Sequence, residues 1–160
     1  MLSINQLLSN PEILKDVQIM IVDNDRDCRD LYAVLFEAFN AKVKVAASIK
    51  EALTLLDWII PDILVCEMNF FGESVYPLIE RLRHLEKNNS RAIPIVVNST
   101  VCPTILAQKL TVNVEAYLLK PIDVCHLVNE VWTLVMLSKI PYPIKRNLTQ
   151  KVAKDFVLMS

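Results

Sequence analysis

Pro61-Asp62-Ile63-Leu64-Val65-Cys66-Glu67-Met68-Asn69 holds a short apolar run, Ile63 to Cys66, bounded by a proline and closed by a carboxylate. Such a run reads as a strand buried on both faces, as the centre of a parallel sheet requires. Its carboxyl end delivers Glu67 to the sheet edge where open α/β folds place their ligand chemistry. The remaining residues are then read by their relation to Glu67.

Working outward, Val17 to Val22 is a nearly unbroken apolar run and is expected as the first strand, ending on Asp23-Asn24-Asp25. Asp25 suits either the cap of the next helix or a ligand role, and Leu31, Val34, Leu35 and Ala38 recur behind it at helical spacing. Lys42 to Ala46 reads as the second strand. Ser48 with Glu51 three residues on makes a capping box for a helix through Ala52, Leu55 and Leu56. After the central strand, a loop around Gly72 leads to a helix with Leu78, Ile79, Leu82 and Leu85. Ile93 to Val97 is expected as the fourth strand, ending on Asn98-Ser99-Thr100, and a weaker helix over about 103–110 follows. Ala116 to Leu119 is the fifth strand, closed by Lys120-Pro121. The last helix shows Val124, Leu127, Val128, Val131, Trp132 and Val135. Five strands alternating with five helices predict an α/β fold with a doubly wound, five-stranded parallel sheet.

The ends read differently. Residues 1–16 form an N-terminal arm, a short helix or extension lying on the 17–137 domain. Residues 138–160 form a C-terminal tail, in which Leu148, Val152 and Phe156 recur every four residues among lysines and an arginine. That tail is expected as an amphipathic helix that packs on the domain, pairs with a second copy, or docks on a partner.

Composition narrows the classes. Apolar residues at 53% and charged residues at 22% fit a globular domain rather than disorder. A net charge of −1 without a basic block argues against nucleic acid. No run is long enough for a membrane span and no signal-peptide pattern opens the chain, so a cytoplasmic location is expected. Cys28, Cys66, Cys102 and Cys125 are too widely spaced for a zinc set and read as buried small hydrophobes. Gly72 is the one glycine, which excludes glycine-rich phosphate loops.

Polar residues end the inner strands at one edge: Asp23 and Asn24, Glu67, Ser99 and Thr100, and Lys120. Carboxylates, a hydroxyl and a lysine brought together suit a divalent metal and a phosphoryl group. With Ile21-Val22-Asp23-Asn24-Asp25, Pro61-Asp62-Ile63-Leu64-Val65 and Ala116-Tyr117-Leu118-Leu119-Lys120-Pro121, the chain resembles the receiver domain of two-component response regulators, single-domain members included, over about residues 16–137.

The resemblance implies a flavodoxin-like fold and a phosphorelay role with a histidine kinase or another signalling protein as partner. It places the phosphoacceptor position at Glu67 in place of the family's aspartate. The acidic cluster falls on Asp23, Asn24 and Asp25, and the switch and phosphate-binding positions on Ser99, Tyr117 and Lys120. Magnesium would lie between Asp23, Glu67 and the Asn69 carbonyl. Two departures stand out. Glutamate carries its carboxylate about 1.5 Å further out than aspartate, and Asn24 takes one negative charge from the cluster, so magnesium binding is expected to be weak or absent. Glu67 is left as a phosphoacceptor, a permanent charge partner of Lys120, or a solvated edge residue. Lys120 pairs with Asp23 or Glu67, and Tyr117 is core or switch aromatic.

The expected function is therefore an atypical, phosphorylation-independent receiver acting through protein contacts near the fourth helix, fifth strand and fifth helix, without enzymatic activity. No output domain is expected in the 23 residues after the last helix. One alternative is an assembly module dimerising through its tail. Another is a magnesium-dependent phosphohydrolase, against which the Glu67-Met68-Asn69 triplet speaks, because it lacks the paired aspartates of that chemistry.

Overall fold

The computed structural model describes residues 2–101 and 114–140. The helix expected over 103–110, Cys102 and the tail from residue 141 lie outside the described residues. Strands β1 (Gln18–Val22), β2 (Lys42–Ala46), β3 (Ile63–Cys66), β4 (Ile95–Ser99) and β5 (Ala116–Leu119) form one parallel sheet in the order β2-β1-β3-β4-β5. Helices α1 (Ile4–Leu8), α2 (Arg26–Glu37), α3 (Ile49–Leu55), α4 (Tyr76–Asn89) and α5 (Val124–Ser138) complete the described elements. The doubly wound, flavodoxin-like architecture expected from the sequence is the one observed.

β3 is central, and every one of its four residues is buried. Its side chains alternate between two cores. Ile63 and Val65 join Ile19, Ile21, Tyr32, Phe36, Leu127 and Val131 on the α2–α5 side. Leu64 and Cys66 join Met20, Val22, Ala52, Leu78 and Leu82 on the α3–α4 side. A period of two with both faces apolar is the physical content of a strand buried from both sides.

α2 corrects the expected stripe. Leu31 and Val34 are exposed, at 54% and 67%, and the helix buries Tyr32 and Phe36 instead. The two aromatics, four residues apart, carry the larger apolar surface into the core, and Leu35 of the expected set packs partly buried beside them. Val124, at the start of the α5 stripe, is likewise exposed, while Leu127, Val128, Val131 and Val135 are buried.

β4 begins and ends two residues later than expected. Ile93 donates its N–H to Glu86 Oε1 at 2.6 Å and Pro94 has none to give, so the ladder starts at Ile95. It then continues through polar residues, Asn98 pairing in register with Leu118 and Ser99 with Leu119.

At α3, Ser48 Oγ accepts from the Glu51 N–H, while the Glu51 carboxylate accepts from the Ala47 N–H one residue earlier than in a closed capping box. The N-terminal residues enter the core. Leu7 and Leu14 are fully buried on the α2–α5 side, and the Leu2 backbone exchanges two hydrogen bonds of 3.0 Å with the Asn129 amide of α5.

Candidate functional site

The carboxyl ends of β1, β3 and β5 bring three charged side chains together. Asp23 ends β1 and is buried, with Oδ1 accepting from the Asp25 N–H at 2.8 Å. Glu67 follows β3 and is 5% exposed. Lys120, after β5, places Nζ 2.7 Å from Asp23 Oδ2 and 3.0 Å from Glu67 Oε2. Parallel pairing of β1 with β3 fixes the distance between the two acids, and β5 supplies the ammonium between them. Burial alone would lower the Lys120 pKa, but hydrogen bonds and charge from Asp23 and Glu67 outweigh it and hold the value above the ordinary 10.5.

The second oxygen of Glu67 turns back onto its own loop. Oε1 accepts from the Met68 N–H at 2.6 Å and from the Asn69 N–H at 3.0 Å. The extra methylene of glutamate lets one carboxylate serve Lys120 and the loop together. Of the three readings open for Glu67, burial removes the solvated edge residue, and the geometry is that of a charge partner.

Asn24 has a role that the sequence reading lacked. Its Nδ2 donates to the Asn69 carbonyl oxygen at 3.1 Å. An asparagine beside an aspartate signalled only a lost charge; the donor became visible once the β1 and β3 ends were adjacent. Asp25 is the N-cap of α2, with Oδ1 accepting from the Asp27 and Cys28 N–H groups.

The donors expected for magnesium are therefore met by the chain's own groups. The Lys120 ammonium bridges Asp23 and Glu67, and an amide N–H points at the Asn69 oxygen. Magnesium needs oxygen donors in near-octahedral array, and here each of the three expected ligands is already engaged by an N–H donor of the chain.

The switch positions meet elsewhere. Ser99 Oγ accepts from the Val101 N–H at 3.3 Å and Tyr117 Oη donates to the Val101 carbonyl at 2.9 Å, so both hold the backbone just after β4. Ser99 is buried, and Tyr117 packs at the margin of the α3–α4 core. Asn98, buried toward α2, reaches Tyr32, whose phenol is pushed up to about 12, first by burial and then by Cys28.

A cavity of about 300 Å³ opens above the acids, lined by Asn24, Asp25, Glu67, Asn69, Phe71 and Lys120, with Cys28 and Thr100 at its wall. Cys28 and Cys125 are half-buried and pack against the α2–α5 core, Cys28 also reaching the cavity wall, and Cys66 alone of the described cysteines is fully buried. A larger cleft, about 570 Å³, lies between α3 and α4 near Leu53, Pro77 and Arg81, and holds none of the expected site residues.

The sequence model of one family, the response regulator receiver domain, matches residues 19–132. The chain belongs to that family. A small uncharacterised protein of Leptolyngbya boryana is 32% identical over 118 residues, which is 73% of this chain and 88% of the relative. The Regulator of RpoS of Escherichia coli K12 is 29% identical over 105 residues, 66% of this chain but 30% of the relative. Among solved structures, a CheY-like receiver domain from Methanospirillum hungatei superposes with a TM-score of 0.68 at 17% identity, covering 78% of this chain and 98% of that one. Receiver domains work in phosphorelay signalling with histidine kinases or other signalling proteins. Among the described residues of this receiver, no helix is long and apolar enough to cross a membrane.

Proposed function

We propose that this receiver signals through protein contacts without phosphorylation of Glu67 and without catalysing a reaction. The observation that carries the reading is the double engagement of Glu67. One oxygen is bound to Lys120 and the other to two loop N–H groups. A phosphoacceptor needs a free carboxylate oxygen in line with the donor, and geometric tolerance at such sites is tight. Here both oxygens are held and the carboxylate is displaced by a methylene. The Lys120 bridge supports a constitutive arrangement of the three strand ends.

Contact surfaces are available near β5 and α5, where Leu119 and Val124 are exposed. A histidine kinase or another signalling protein is the partner class that the family suggests, and a cytoplasmic location follows from the same reading. Against the phosphohydrolase alternative, Glu67-Met68-Asn69 offers neither an aspartate nucleophile nor a second aspartate two residues on.

The test is incubation with acetyl phosphate and magnesium chloride, read by intact mass. The expected outcome is an unchanged mass. Gain of one phosphoryl group, mapped to Glu67, would overturn the proposal.

A further inference from the structure

The two residues that depart from the family pattern act on one segment. Glu67 Oε1 accepts from the Met68 and Asn69 N–H groups, and Asn24 Nδ2 donates to the Asn69 carbonyl. The backbone of residues 68–69 is thus held by three hydrogen bonds from two side chains. Beyond it, Phe70 is buried in the α3–α4 core and bridges Glu73, whose N–H donates to the Phe70 carbonyl at 3.1 Å. Phe71 and Gly72 between them have φ of 50° and 95°, the both-positive pattern of a type I′ turn. A phenylalanine in the left-handed region is strained and persists only where its surroundings hold it. It stands 90% exposed at the lip of the cavity.

We propose that Asn24 and Glu67 are positioning residues that clamp the β3–α4 loop, and that the clamp stands where the resemblance implies a metal. The proposal rests on the reading that the site is not a phosphorylation site. A cation between Asp23, Glu67 and the Asn69 carbonyl would tie the β1 and β3 ends together electrostatically. In this chain the Asn24 amide makes that tie to the Asn69 oxygen, and the Lys120 ammonium bridges the two buried acids and offsets one of their two charges. The longer Glu67 side chain adds two hydrogen bonds within the loop itself, and these need no ion. The loop, with Phe71 at its tip, is then held in one conformation whether or not magnesium is present. Asn24 also accounts for the metal misfit in a way that a lost charge alone does not, because its N–H occupies the carbonyl ligand.

The test is amide hydrogen exchange of the full chain, resolved by residue, with and without millimolar magnesium chloride. In the wild type, the Met68, Asn69 and Glu73 amides are expected to be protected equally in both conditions. Asn24→Ala, at a half-exposed position, is expected to raise exchange at these amides about fivefold, as for one lost hydrogen bond, with the β3 and β4 amides unchanged. The pair Asn24→Asp with Glu67→Asp is expected to lose loop protection and to regain it on adding magnesium. Wild-type protection that appears only with magnesium, or Asn24→Ala without effect on the loop, would overturn the clamp. Phosphoryl transfer to the wild type would instead overturn the functional reading, and would leave a metal-independent clamp standing if the amides remain protected.

Discussion

At the scale of single residues, Lys120 has the largest electrostatic role. Its side chain is 14% exposed and faces two carboxylates that are 1% and 6% exposed. Replacing it by methionine strands both charges in the interior, and breaking a buried pair in this way costs about 3 kcal/mol or more. Urea unfolding of Lys120→Met at neutral pH should show that loss. The wild type carries a matching pH signature. Lys120 holds its proton above the ordinary 10.5 in the folded state, and burial together with Glu67 holds the Cys66 thiol above its ordinary 9.0. In both cases the folded form binds the proton more tightly than the unfolded chain. Their contribution to stability is therefore complete below the unfolded values and is lost as pH rises through the folded ones. Stability should be level near pH 8, begin to fall above about pH 9 and fall more steeply above about pH 10.5. Cys66→Val should shrink the limb above about pH 9 without removing it, because burial also raises the Cys28 thiol and the Tyr32 phenol. A stability that rises with alkali would contradict the arrangement.

At the scale of elements, local chemistry starts most helices where it should. Asp25 caps α2 with two hydrogen bonds to its own first turn, and Asp123 caps α5 through the His126 N–H. Asp25→Ala should cost about 1 kcal/mol in thermal or denaturant unfolding, as a lost N-cap does. A much larger loss would mean that Asp25 also supports the buried acids. Scarcity of glycine shows at the same scale. The described chain turns left-handed at Asp16, Asn40, Phe71 and Ser90 as well as at Gly72. Short polar side chains tolerate that region, and Ser90 uses it to end α4. Phe71 has no such excuse, which is why its loop needs an external hold.

At the scale of the whole molecule, the sheet divides the interior into two cores, and residues before β1 complete one of them. These residues lie outside the 19–132 family match, yet Leu7 and Leu14 are as buried as the strand residues. Leu14→Ala should destabilise the protein by about 3 kcal/mol, typical of a leucine truncated in a packed core. Leu8→Ala, at a position 71% exposed, should change stability by no more than about 0.5 kcal/mol. Equal effects at both positions would show that these residues unfold separately from the domain.

The sequence by itself determined the strand pattern and the gathering of polar groups at one edge. Runs such as Ile19–Val22 and Ile63–Cys66 are apolar at every position, which suits only strands covered on both faces, and parallel winding then brings Asp23, Glu67 and Lys120 to the same side. Periodicity was less informative in α2, where Leu31-Val34-Leu35-Ala38 and Tyr32-Phe36 are both helically spaced and packing area chose the aromatics. The end of β4 was also hidden, because pairing with β5 carries the ladder through Asn98 and Ser99, where hydrophobicity has already stopped. The tertiary structure alone decided what the altered site residues do. That Asn24 reaches the Asn69 carbonyl, and that Glu67 divides its oxygens between Lys120 and its own loop, depends on distances between strand ends that lie 45 and 53 residues apart in the chain. Residue types state which groups can donate or accept; only the register of β1, β3 and β5 states which of them meet.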